Sequence, residues 1–245
     1  MNHIHSVVVG GSKGLGKAIT KKLIDEGHLV SILARKGAME EFSASHCQLV
    51  RGDLAHPGQI KAAILKMTRR FGPLHNIVFA QRYRGKKNGW TGELETTLTG
   101  TKNFIEFASR SFARNKHISI TVIGSVAGHY IVDDQPIEYH VSKAALEQLV
   151  RFYAVALGPR NVCVNGIAPS AFVKDVSRQY YLGDKNRRQF FEKLNPLGRM
   201  LSAEDIAHVV SFFCSPETFI TGQIITMDAG ASLLWPDASV RRVSK

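Results

Sequence analysis

Tyr139 and Lys143 stand four residues apart at the start of a helix-patterned run, YHVSKAALEQLVRFYAVAL. On a helix that spacing puts a phenol and an ammonium on one face. A phenol ordinarily titrates at about 10, and an adjacent positive charge favours the phenolate. Such a pair can give or take a proton near neutral pH. Ser125 follows directly on the apolar, strand-like run ISITVIG, where α/β sheets carry their functional groups. Taken alone, an aromatic and a lysine at i, i+4 are ordinary helix residues. The serine upstream and a glycine loop near the N-terminus change that weighting.

The elements that must position these groups begin with His5 to Val9, a short β-branched run that reads as a buried parallel strand. It breaks into Gly10-Gly11-Ser12-Lys13-Gly14-Leu15-Gly16, followed by the helix pattern KAITKKLIDEG. A strand, a glycine turn and a helix N-terminus in that order suit a dinucleotide pyrophosphate. Glycines let the backbone approach the phosphates, and the helix end favours negative charge. The second strand, HLVSILA, is followed by Arg35 and Lys36, with no acidic residue to hold a ribose hydroxyl pair. Lys13 and Arg35 can instead converge on the extra phosphate of NADP(H), which is the predicted cofactor. The plainer alternative is two solvated cations.

The third strand, CQLVRGDLAH, ends at Asp53-Leu54. Asp53 also precedes the helix pattern PGQIKAAILKMTRRFG, so it can serve as a cap. LHNIVFA is the fourth strand, and the loop after it carries Arg82, Arg84, Lys86 and Lys87. That loop is either solvated or grips an anionic substrate or a cofactor phosphate. A long helix is predicted from Glu93 to Arg114, a sixth strand over NVCVNGIAPS, and a buried strand within ITGQIITMDAG. The tail DASVRRVSK reads as polar and mobile. Strand and helix patterns alternate throughout, without repeat or linker. The expectation is one α/β domain over residues 1–245, a Rossmann-like doubly wound parallel sheet with helices on both faces.

Composition narrows the class. Forty-four per cent of the 245 residues are hydrophobic, enough for a buried core. No apolar run reaches membrane-spanning length, and MNHIHSVVVGG has no signal-peptide pattern, so a cytoplasmic protein is expected. Cys47, Cys163 and Cys214 are scattered, and the ten histidines lack ligand spacing, so no metal site is predicted. The net charge of +12 is dispersed rather than blocked, which disfavours nucleic acid and points to anionic ligands.

From Val7 to Gly230 the chain resembles a short-chain dehydrogenase/reductase, close in pattern to 3-oxoacyl-acyl-carrier-protein reductases. The resemblance implies about seven parallel strands. It makes Tyr139 the general acid/base, has Ser125 hold the substrate oxygen, and has Lys143 bind the cofactor ribose and tune the tyrosine. Gly10, Ser12, Lys13, Gly14, Leu15 and Gly16 become the pyrophosphate loop, while Asp53 and Leu54 flank the adenine. Ala80 lies in the fourth-strand segment, and the backbone after Pro169 meets the nicotinamide. Residues 171–195 correspond to a substrate loop. Departures from the family pattern are Val9 for threonine, Phe79-Ala80-Gln81-Arg82 for Asn-Asn-Ala-Gly, Thr97 for asparagine, Ser170 for glycine and Lys174 for threonine.

The resemblance further implies a homo-oligomer, a dimer or tetramer. Leu146, Leu149, Phe152, Val155 and Ala156 then form either a core stripe or an interface. Arg110, Arg114 and Lys116 are either a solvated helix end or a face for an acidic carrier protein. The expected activity is NADPH-dependent reduction of a carbonyl, on a 3-oxoacyl thioester or another anionic keto substrate. The competing class is a non-catalytic NADP-binding sensor or assembly subunit, favoured by the departures and opposed by the intact Ser125, Tyr139 and Lys143.

Overall fold

The first strand shows how sequence alternation builds the molecule. β1 (His5–Val9) is buried along its whole length. Its side chains alternate between two cores, with Val7 and Val9 in one and Val8 in the other, as period-2 geometry requires. Each fully buried valine or isoleucine contributes roughly 1.5–3 kcal/mol relative to an exposed one. A computed structural model describes residues 3–37, 41–85, 89–174 and 177–244.

α1 (Gly14–Asp25) follows β1, then come β2 (Leu29–Ala34), β3 (Cys47–Arg51) and α2 (Pro57–Phe71). α2 begins on Pro57, where a missing N–H costs nothing, and stops at Gly72 with φ +79°, the left-handed position that favours glycine. β4 (Asn76–Phe79), β5 (Ile118–Ile123), β6 (Val162–Pro169) and β9 (Ile224–Met227) complete a seven-stranded sheet. The order is β3-β2-β1-β4-β5-β6-β9, and every pairing is parallel. α1 packs with α8 (Ala203–Cys214) on one face. On the other lie α2, α4 (Gly100–Ala108) and α5 (Ile137–Leu157), around Ile60, Phe104 and Leu146. The predicted doubly wound sheet is therefore present. Chain order reverses between β1 and β4, the switch point outside which such folds place their ligands.

Four expectations need correction. The predicted helix from Glu93 is three pieces: α3 (Gly89–Leu94), a π-helical turn (Glu95–Thr99) and α4. The last-strand segment is not buried: β9 is half exposed, because β6 alone pairs with it. The tail forms α9 (Pro236–Ser244), which contacts α7 (Lys185–Leu194). Asp53 does not cap α2, whose N-cap is His56; its Oδ1 instead accepts from Ala55 N at 3.1 Å, closing a local turn. The substrate segment carries β7 (Phe172–Val173), α6 (Arg178–Leu182) and α7, and β7 pairs with β8 (Leu201–Ser202). No described helix is long and apolar enough to cross a membrane, and no cluster of metal-ligating residues occurs among the described residues.

Candidate active site

Glycine geometry shapes the entrance to the site. Gly10 has φ +82°, and a Cβ there would lie 2.9 Å from the Gln81 backbone. A Cβ on Gly16 would collide with the Gly10 carbonyl oxygen. Only glycine lets β1, the loop and α1 approach this closely. Lys13 is the N-cap of α1 and makes no side-chain cap hydrogen bond, and the first turn holds no acidic residue. The first amides of α1 thus remain to meet an anion.

These elements open onto a cleft of about 590 Å³ at the carboxyl end of the sheet. All the sequence-designated residues line it: Gly10, Ser12, Lys13, Gly14, Leu15 and Gly16 of the loop, Arg35, Asp53, Leu54, Ala80 and Pro169, and Ser125, Tyr139 and Lys143. Among the described residues seven cations reach it, Lys13, Arg35, Lys36, Arg82, Arg84, Lys143 and Lys174, against the one carboxylate of Asp53. Asp53 lies 3.8 Å from Arg35, with both groups partly solvated, a weak pairing. A cationic cleft of this size, with a glycine cradle and an open helix N-terminus, fits a nicotinamide dinucleotide.

β5 and α5 fix the three reactive groups. Ser125 stands just past β5 and its Oγ accepts from Ala127 N at 3.2 Å, capping a short 3-10 turn. That acceptance leaves its O–H to be donated. Lys143 is buried, and its Nζ donates to the Ile123 carbonyl at the end of β5 at 3.2 Å. Burial pushes its ammonium down to about 8; Glu93 opposes the fall and Arg82 adds to it. The Tyr139 ring lies between two cations, Arg82 at 4.9 Å and Lys143 at 5.3 Å. Lys174, where the family pattern has threonine, is also lowered, first by burial and then by Arg82 and Arg84. Arg82 is further held by donating to Gln135 Oε1 at 2.7 Å. Lys86 and Lys87 of the same predicted cluster fall outside the described residues.

Thr97 does not reach the cleft. The π turn puts Thr96 on the cleft wall and turns Thr97 inward, where its Oγ1 donates to Glu93 Oε1 at 2.7 Å. Sequence reasoning did not single out Glu93, a carboxylate only 4% exposed. The signal was available: Glu93 and Thr97 are four residues apart in a helical run, hence neighbours on one face.

The family model described as enoyl-(acyl carrier protein) reductase matches residues 9–232. The 3-oxoacyl-acyl-carrier-protein reductase MabA of Mycobacterium tuberculosis is 29% identical over 238 residues, 93% of this chain and 92% of that one. The corresponding reductase FabG of Aquifex aeolicus is 28% identical over 241 residues, covering 92% and 96%. A dehydrogenase/reductase structure from Sinorhizobium meliloti superposes with a TM-score of 0.82 at 25% identity, covering 94% of this chain and 96% of that one. The chain belongs to the short-chain dehydrogenase/reductase family of nicotinamide-dependent oxidoreductases.

Proposed function

We propose that this protein is an NADPH-dependent reductase of an anionic carbonyl compound, with a 3-oxoacyl thioester as the first substrate class to try. The observation that carries the reading is one cleft holding the glycine cradle, Lys13 and Arg35 together with Ser125, Tyr139 and Lys143. The 3-oxoacyl-carrier-protein reductases at 28–29% identity support the substrate class. Arg82, Arg84 and Lys174 supply positive charge for an acidic group on the substrate.

In this reading the Ser125 hydroxyl donates to the carbonyl oxygen and Tyr139 gives that oxygen its phenolic proton. The Lys143 ammonium stabilises the phenolate left behind. An ammonium has three N–H donors, and Ile123 takes one, so two remain for ribose hydroxyls. When bound, the nicotinamide supplies the hydride for the carbonyl carbon. Lys13 and Arg35 hold the extra phosphate of NADP(H).

Two surface features support the remaining expectations. On α5, Leu146 is buried in the core, while Phe152 and Val155 are exposed at 63% and 80%; these outer residues are the face through which a second copy packs in a homo-oligomer. Arg110, Arg114 and Lys116 are exposed beyond α4 and present cations to an acidic carrier. The cofactor part is tested by calorimetric titration with NADPH and with NADH at low and moderate salt. Tight NADPH and weak NADH binding is expected; equal affinity overturns the phosphate clamp.

A further inference from the structure

Glu93 is a buried carboxylate near the reactive groups that the reading above does not use. It lies in α3, which packs on α5. Its Oε1 accepts two short hydrogen bonds, from Thr97 Oγ1 at 2.7 Å and from Ser142 Oγ at 2.9 Å. Ser142 directly precedes Lys143 on α5. All four side chains are almost completely buried: Glu93 at 4% exposure, Thr97 at 1%, Ser142 at 0% and Lys143 at 4%.

A buried carboxylate needs an opposite charge or it costs several kcal/mol. Two hydroxyls orient Glu93 but bring no charge. A fully buried ammonium has the same need. The described groups that act on Lys143 are the Glu93 carboxylate from α3, which is not in direct ion-pair contact with it, the Arg82 guanidinium from the loop after β4, and the Tyr139 phenol one turn earlier on α5. One turn later on the same helix, Glu147 pairs through Oε2 with His129 at 2.9 Å and Arg151 at 3.4 Å, while its buried Oε1 has no hydrogen-bond partner among the described residues. Arg82 repels the ammonium and Glu93 attracts it.

We propose that Glu93, oriented by Thr97 and Ser142, is a positioning residue that serves as the buried counter-ion of Lys143 and holds it as an ammonium beside Tyr139. Thr97 donates to the carboxylate, while Thr96 beside it lines the cleft. The inference rests on the reductase reading only for the use made of the ammonium, at the ribose and the phenolate. A midpoint near 8 leaves Lys143 mostly charged at neutral pH. Without Glu93, burial and Arg82 act unopposed and the balance tips toward the neutral amine.

The experiment reads Lys143 directly. Lys143 lines the cleft, within reach of a small reagent. Its acetylation by acetic anhydride can be followed by peptide mass spectrometry from about pH 6 to 10. Glu93→Gln keeps the shape of the side chain and should move the Lys143 midpoint down by about one pH unit. Glu93→Asp, which retains the charge, should restore most of it. Thr97→Val removes only one hydrogen bond to the carboxylate and should move the midpoint the same way by less, which keeps the test open if the glutamine variant does not fold. An unchanged midpoint in the variants that fold overturns the proposal, even if stability drops. If the midpoints move as stated while no carbonyl is turned over, the reductase reading fails and the counter-ion assignment stands.

Discussion

The two ends of the sheet handle buried polar groups in opposite ways. At the amino end of β1, β2 and β4, polar side chains bond to one another, although among the described residues His117 Nε2 and Ser119 Oγ at the start of β5 are buried without a hydrogen-bond partner. His5 pairs through Nδ1 with the Gly72 carbonyl at 2.9 Å and through Nε2 with Ser31 Oγ at 2.7 Å. Ser6 Oγ meets His28 Nδ1 at 2.8 Å and accepts from Asn76 Nδ2 at 3.0 Å. Burial pushes His5 down to about 4, and it lowers His28 and His75 as well. Burial suppresses histidine charge there. At the carboxyl end charge is retained. Seven described cations face the cleft, Lys143 keeps two unspent donors, and α1 begins without a side-chain cap. The same strands carry both networks. The difference is that the carboxyl end gathers its cations and unspent donors around one cleft, whereas the His5, Ser6, Ser31, His28 and Asn76 side chains at the other end bond mainly to one another.

The largest effect that bears on this contrast is at Tyr139. Tyr139→Phe should cut turnover by about 10²–10⁴-fold while NADPH affinity, measured by calorimetry, stays within a factor of two or so of the parent, since the ring and its neighbouring cations remain. Turnover at the parental rate would remove Tyr139 from the chemistry.

The amino end should respond to acid instead. His5 has its ordinary value of 6.5 in the unfolded chain and about 4 when folded. Above pH 6.5 both states are neutral there. As pH falls from 6.5 toward 4 the unfolded chain takes up the proton first, so stability is lost across that window, by up to about 3 kcal/mol from His5. Urea unfolding at a series of pH values would show it. A flat stability profile between pH 7 and 4.5 would mean that the network is open to water rather than closed.

A smaller effect is expected at the adenosine end of the cleft. Arg35→Ala and Lys13→Ala should each weaken NADPH binding by about tenfold, roughly the worth of one charge-assisted hydrogen bond, and leave NADH binding nearly unchanged. Equal losses for both nucleotides would make these residues general pyrophosphate cations and not a phosphate clamp.

Local pattern carried most of what the sequence made legible. The strand–glycine–helix unit and the Tyr139–Lys143 pair depend on neighbours a few residues apart, Ser125 marks the end of the preceding strand, and the fold brings all of them to one cleft. What stayed hidden depends on tertiary packing. Helical periodicity over residues 93–114 does not reveal a π turn, so the pattern reads as one continuous helix, and the burial of Glu93 comes from the packing of α3 on α5. Asp53 has the residue type of a cap, but His56 occupies that position. The polar tail carries a helix that packs against α7, a contact with no signal in the local pattern. β9 is as apolar as a central strand and is half exposed because it lies at the edge.

The most direct test is to follow NADPH consumption by the wild-type protein with a 3-oxoacyl thioester, alongside small anionic and neutral ketones. NADPH-dependent reduction of the thioester or an anionic ketone, with NADH a poor substitute and neutral ketones slower, is the predicted result. Tight NADPH binding with no turnover of any carbonyl would contradict it and make the protein a nucleotide-binding subunit built on a reductase scaffold.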